Sequence, residues 1–150
     1  MRLLSKPPMA IARLRGNRDN AGLHGVVRFY QFPGAILVEA NIKGLPNHSS
    51  GFFGFHIHTG GGCSGFSATG GHYDPVGKPH PYHAGDLPPL LSRSGRAYIA
   101  VMTDRFSIAD IVGRTVVIHS EADDFCSQPA GNAGEKIACG VIERRISGRM

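Results

Sequence analysis

Gly54-Phe55-His56-Ile57-His58 is the stretch whose reading decides the fold. Two histidines sit one residue apart inside an apolar run. Successive side chains of a β-strand point to opposite faces, so His56 and His58 share one face while Phe55 and Ile57 share the other. Such a strand can hold a metal ion on one side and still belong to an apolar core. Of the chain's 8 histidines, His72, His80, His83 and His119 follow this pair, whereas His24 and His48 precede it beside turn residues and read as surface groups.

Outward from this strand, short apolar runs alternate with turn residues. With 150 residues, 21 of them Gly and 10 Pro, and no Trp, the chain reads as a single all-β domain over 1–150, with residues 1–8 as a frayed N-terminus. Strands are expected at 9–15, 26–32, 35–42, 52–58, 95–104, 111–119 and 137–144, with Pro33-Gly34 as a hairpin turn. Their spacing suggests an antiparallel sandwich or barrel. From residue 59 to about 93 the periodicity disappears into Gly, Pro, Ser and His. A loop of that size in a compact domain is normally functional or disordered, and its histidines favour function. Residues 120–135 form a second polar loop.

The formal net charge of +5 favours an anionic substrate or partner. Much of that charge lies near the two ends, in Arg2, Lys6, Arg13, Arg15 and Arg18, then Arg144, Arg145 and Arg149. No aromatic residues interleave with it as a stacking platform for nucleic acid requires. No run is long and apolar enough to span a membrane. Neither nucleic acid nor membrane is therefore an expected partner. The basic start breaks at Lys6-Pro7-Pro8 before a signal-peptide apolar region forms, which reads as cytoplasmic as the chain is written. An exported protein whose leader had been removed would begin in the same way, so the compartment stays open.

Three cysteines leave one over if a disulfide forms. Cys63 follows the histidine pair and Cys139 lies in the last apolar strand. A bridge between them would leave Cys126 spare, and three unrelated buried thiols are the alternative.

His119 ends the run Thr115-Val116-Val117-Ile118, where its imidazole can meet the His56/His58 face. Several neutral imidazoles around one centre suit Cu(II) and Zn(II). In the long loop, His80-Pro81-Tyr82-His83-Ala84-Gly85-Asp86 offers three donors at intervals of three. With His72 they make a closed set of three nitrogens and one carboxylate, the structural zinc type. A merely solvated histidine-rich loop is the alternative for this segment.

These motifs carry a resemblance. Gly54-Phe55-His56-Ile57-His58, Gly70-Gly71-His72-Tyr73-Asp74-Pro75, His83-Ala84-Gly85-Asp86-Leu87, Gly131-Asn132-Ala133-Gly134 and Ala138-Cys139-Gly140-Val141-Ile142 resemble, in order, the copper/zinc superoxide dismutase family. The short interval from His58 to Cys63 is similar to that of bacterial members. The resemblance implies an eight-stranded antiparallel Greek-key β-barrel with two long functional loops. It implies copper on His56, His58, His72 and His119, and zinc on His72, His80, His83 and Asp86, with His72 bridging the two. Asp123 matches the family's carboxylate linking ligands of both metals, and Cys63 and Cys139 match its intrasubunit disulfide. The implied activity is disproportionation of superoxide to oxygen and hydrogen peroxide through a Cu(II)/Cu(I) cycle, with His72 carrying a proton.

Four departures accompany the match. The family's active-site arginine falls on Lys136, which keeps a positive charge near copper but loses the planar fork that orients an anion. That change implies reduced rather than abolished activity. The zinc loop is short between His80 and His83, and the loop after Ser120 is short as well. Cys126 matches no family element. A non-catalytic copper/zinc-binding or copper-delivery protein on the same fold is the alternative function; it would usually lack ligands or carry an added Cys-x-x-Cys domain, and neither applies. A homodimer is left open, because members of the family pair through different surfaces.

Overall fold

A computed structural model describes residues 6–146. Among these residues nine strands run in chain order: β1 (Ala10–Gly16), β2 (His24–Phe32), β3 (Ala35–Lys43), β4 (Phe52–Phe53), β5 (Phe55–His58), β6 (Leu90–Leu91), β7 (Ala97–Thr103), β8 (Thr115–His119) and β9 (Lys136–Arg144). One short helix, α1, spans Ile108–Ile111. Seven strands form an antiparallel sheet in the order β5-β8-β9-β1-β2-β3-β7, and β4 pairs with β6. Since β4 leads straight into β5 and β6 lies beside β7, the small ladder spans the two edges of the large sheet. The sheet is thereby curled into a barrel, which removes exposed strand edges.

Gly54 separates β4 from β5. A side chain there would place a Cβ 2.8 Å from the Ala133 Cβ and 3.2 Å from the His119 Cβ. Its amide donates to Glu121 O and its carbonyl accepts from His119 N, each at 2.8 Å. The expected strand at 52–58 is thus two segments of one strand, and the barrel counts eight strands once they are joined. Alternation in β1, β2 and β3 sends Ala12, Leu14, Val27, Phe29, Val38 and Ile42 inward to fill the core. In β5 all four residues are buried. Phe55 and Ile57 join the core, and the two long loops cover the histidine face.

Two sequence expectations change. The expected strand at 111–119 begins only at Thr115, because Ser107-Ile108-Ala109-Asp110 forms a capping box: Asp110 N donates to Ser107 Oγ at 3.2 Å and Ser107 N donates to Asp110 Oδ2 at 2.9 Å. The loop 59–93 contains β6, two residues too short to register as periodicity. Within the expected frayed N-terminus, residues 1–5 lie outside the described residues, and Pro8 is buried. Among the described residues, no helix is long and apolar enough to cross a membrane.

Candidate metal centre

β5 places His56 and His58 on one face, and β8 pairs antiparallel with it, His56 opposite Val117, so that β8 ends with His119 beside them. His72 arrives from the loop through an isolated bridge to His58. One ligand atom from each of His56, His58, His72 and His119 falls within 4.8 Å of the others. His58 Nε2 and His119 Nε2 face each other at 3.1 Å. The remaining nitrogens of these two rings face carbonyls, His58 Nδ1 on Gly70 O at 2.8 Å and His119 Nδ1 on Gly134 O at 3.4 Å. Such contacts fix the tautomer and leave Nε2 as the donor.

A second group, His72, His80, His83 and Asp86, meets the same 4.8 Å limit. His72 Nδ1 lies 2.7 Å from Asp86 Oδ1 and 3.3 Å from His83 Nδ1. His80 Nδ1 lies 3.0 Å from Asp86 Oδ2 but lacks hydrogen-bonding geometry. His72 belongs to both groups, and its Nδ1 lies in the second.

The donor chemistry fits metal ions. Buried polar atoms are ordinarily hydrogen-bonded. Yet His56 Nδ1, His72 Nε2 and His80 Nδ1 are buried with no hydrogen-bond partner. All three belong to rings of the two clusters, where a cation would satisfy them. Burial keeps the rings of His56, His58 and His119 neutral, as ligation requires. It pushes His58 down to about 2 and His119 down to about 3, and it also lowers His56. Burial would raise the Asp86 carboxyl, but the His72 hydrogen bond and the electrostatic influence of the neighbouring His72, His80 and His83 rings hold it below the usual range.

Asp123 lies between the clusters. Its Oδ2 is 2.7 Å from His56 Nε2 and its Oδ1 is 2.8 Å from His80 Nε2. Burial acts to raise this carboxyl, and the two histidine hydrogen bonds more than offset it, holding it well below the usual carboxylate range. Gly131 permits the arrangement, since a Cβ there would overlap both Asp123 Oδ1 and His80 Nε2.

The family model of copper/zinc superoxide dismutase matches residues 23–142. This chain belongs to the copper/zinc superoxide dismutase family. It is 38% identical over 124 residues to superoxide dismutase [Cu-Zn] 2 of Aquifex aeolicus, covering 71% of this chain and 71% of that protein. It is 37% identical over 129 residues to the Legionella pneumophila superoxide dismutase [Cu-Zn], covering 79% and 77%. Over 150 residues it is 36% identical to superoxide dismutase [Cu-Zn] A of Xenopus laevis, covering 89% and 95%. Resemblance to bacterial members of the superoxide dismutase family is thus matched by bacterial relatives.

Cys63 and Cys139 form a disulfide with Cα atoms 5.7 Å apart and a sequence separation of 76. The bridge ties the loop that carries His72 to β9. Cys126 is a free, exposed thiol. Lys136 holds the same loop: its Nζ donates to Thr69 Oγ1 at 2.6 Å, Gly70 O at 3.0 Å and Phe66 O at 3.4 Å. An ammonium has three donors, so all are spent on the loop. Gly70 O takes both Lys136 Nζ and His58 Nδ1, which places the charge one carbonyl away from the first cluster.

Two residues at the centre escape a reading of the sequence. Gln128 grips the backbone of His80, and Arg105 reaches the carbonyls of Pro81, His83 and Asp86. Both act through main-chain contacts, which leave no residue-type pattern to find.

Proposed function

We propose that this protein is a superoxide dismutase holding copper on His56, His58, His72 and His119, and zinc on His72, His80, His83 and Asp86. The observation that carries this reading is the division of His72. Its Nδ1 faces Asp86 and His83, while its Nε2 is buried without a partner and the ring packs 4.0 Å from that of His56 and 4.9 Å from that of His58. A single imidazole between two ligand sets is suited to join two metals.

Bound copper supplies a one-electron couple that takes an electron from one superoxide and returns it to a second. The chain's residues supply the rest. His56, His58 and His119 present neutral nitrogens from a rigid strand pair and need no rearrangement to do so. His72 Nε2 is the atom placed to hold a proton between the two half-reactions and pass it to the peroxide formed. Two superoxides and two protons thus give one oxygen and one hydrogen peroxide. Asp86 and Asp123 fix the rings on the zinc side. Lys136 acts as a point charge that draws the anion inward, its donors being held by the loop. A metal carrier on the same fold is not favoured, because no ligand position is missing.

Two further relatives, 36% and 30% identical, are named extracellular superoxide dismutase, from Rattus norvegicus and Brugia pahangi. With the disulfide, they favour an oxidising compartment for this protein. Superoxide is its partner in this reading, and sedimentation will decide whether two copies pair.

The test is superoxide disproportionation by the purified chain before and after copper loading in the presence of zinc. Activity appears on loading and is lost in His119→Ala. A fully metallated but inactive wild type contradicts the proposal.

A further inference from the structure

We propose that Gln128 is a positioning residue for the zinc cluster, setting His80 through its backbone, with Arg105 anchoring the other end of the same segment. This rests on the assignment of His72, His80, His83 and Asp86 to zinc. Gln128 Oε1 accepts from His80 N at 2.8 Å, and Gln128 Nε2 donates to His80 O at 2.8 Å. One side-chain amide therefore makes both bonds that a neighbouring strand would make to that residue. Its Nε2 also donates to Cys126 O at 3.0 Å, which fixes the amide to its own loop. At its ring, His80 is held by Asp123 Oδ1 at 2.8 Å. Backbone and Nε2 are both fixed, and Nδ1 is left to face the cluster.

The segment 80–86 has no named strand or helix of its own. Three of its other carbonyls are gathered by Arg105 Nη1, which donates to Pro81 O at 2.9 Å, His83 O at 3.2 Å and, at 3.5 Å, Asp86 O. The guanidinium comes from the turn after β7 and the amide from the loop 120–135. Two separate parts of the barrel thus hold a short ligand loop in its binding geometry. Preassembly of this kind lowers the ordering cost of ion binding. It also explains how a loop this short keeps His80 within reach of the cluster.

Both residues are exposed, so each can be changed without opening the core. Gln128→Met keeps the chain length and removes both hydrogen bonds to His80; Arg105→Met removes the carbonyl anchor. The experiment compares zinc release from the loaded protein into an excess of a chromophoric chelator. The visible bands of Co(II) substituted for zinc, and the unfolding midpoint of metal-free protein, are recorded alongside. Supporting partners of metal ligands typically change affinity by about 10–100-fold. Gln128→Met should release zinc at least about tenfold faster and shift the Co(II) bands, while the metal-free midpoint stays near wild type. Arg105→Met should also release zinc faster. Wild-type release rates and Co(II) bands in Gln128→Met overturn the proposal, as does a lowered metal-free midpoint with unchanged bands. Failure of the wild type to take up zinc overturns the zinc assignment itself, and the proposal with it.

Discussion

Asp123 holds His80 with Oδ1 at 2.8 Å from Nε2, and the same carboxylate's Oδ2 holds His56 at 2.7 Å. One buried side chain therefore orients a ring in each cluster and leaves both Nδ1 atoms without a hydrogen-bond partner. Asp123→Asn replaces one acceptor oxygen with an amide NH2 donor facing an imidazole N–H. Zinc affinity should fall by about 10–100-fold and copper affinity by less, measured by competition with a calibrated chelator. Unchanged affinity for both metals would show that the link has no role in binding.

The Cys63–Cys139 bridge, with its separation of 76, should stabilise the metal-free chain by about 4.5 kcal/mol in the loop-entropy model. Denaturant unfolding with and without reductant measures this. Cys126→Ser, which removes the free thiol, should leave the difference intact.

Lys136 joins the first cluster through Gly70 O and lies directly across from His119 in the sheet register. Lys136→Met should lower kcat/KM by about tenfold and flatten its dependence on salt, because a steering charge is lost. Burial lowers the lysine's pKa, so kcat/KM of the wild type should decline at a pH below the usual lysine range as that charge is neutralised. In Lys136→Met this alkaline decline should be absent.

Acid should destabilise the metal-free protein in two stages. His58 falls from 6.5 to about 2 and His119 from 6.5 to about 3 on folding, so the unfolded chain binds protons first. Their stabilising effect is full above pH 6.5 and declines below it, by roughly 1.4 kcal/mol per pH unit for each ring. Asp86 and Asp123 have depressed values, so their contribution is present above the usual 3.8 and is lost at lower pH still. Chemical denaturation between pH 7 and 4 tests the first stage; a flat stability across that range would exclude neutral buried histidines.

Much of the barrel is legible in the sequence because alternation marks strands with one face in the core. β1, β2, β3, β7 and β9 begin and end within two residues of where alternation places them. The exceptions have physical reasons. Ile111 continues an apolar run into β8, but the Ser107/Asp110 capping box claims it for α1. β6 is too short for any period to show. At the metal centre, His56 and His58 are readable from spacing alone, since a strand puts them on one face. Cys63 and Cys139 take their pairing from family resemblance, and the structure bears it out. Gln128 and Arg105 are not readable by either route, because they bind carbonyls and amides that any sequence would offer. For Lys136 only the charge is legible; that its donors close on Phe66, Thr69 and Gly70 depends on the loop's path.

The central claim is that His72 serves both clusters at once. It is tested most directly by the electron paramagnetic resonance of protein carrying Cu(II) in the first cluster and Co(II) in the second. If the imidazole joins them, magnetic coupling through His72 should abolish or strongly broaden the copper signal that the Cu/Zn form shows. A copper signal of the same shape and intensity in the Cu/Co and Cu/Zn forms would contradict the account.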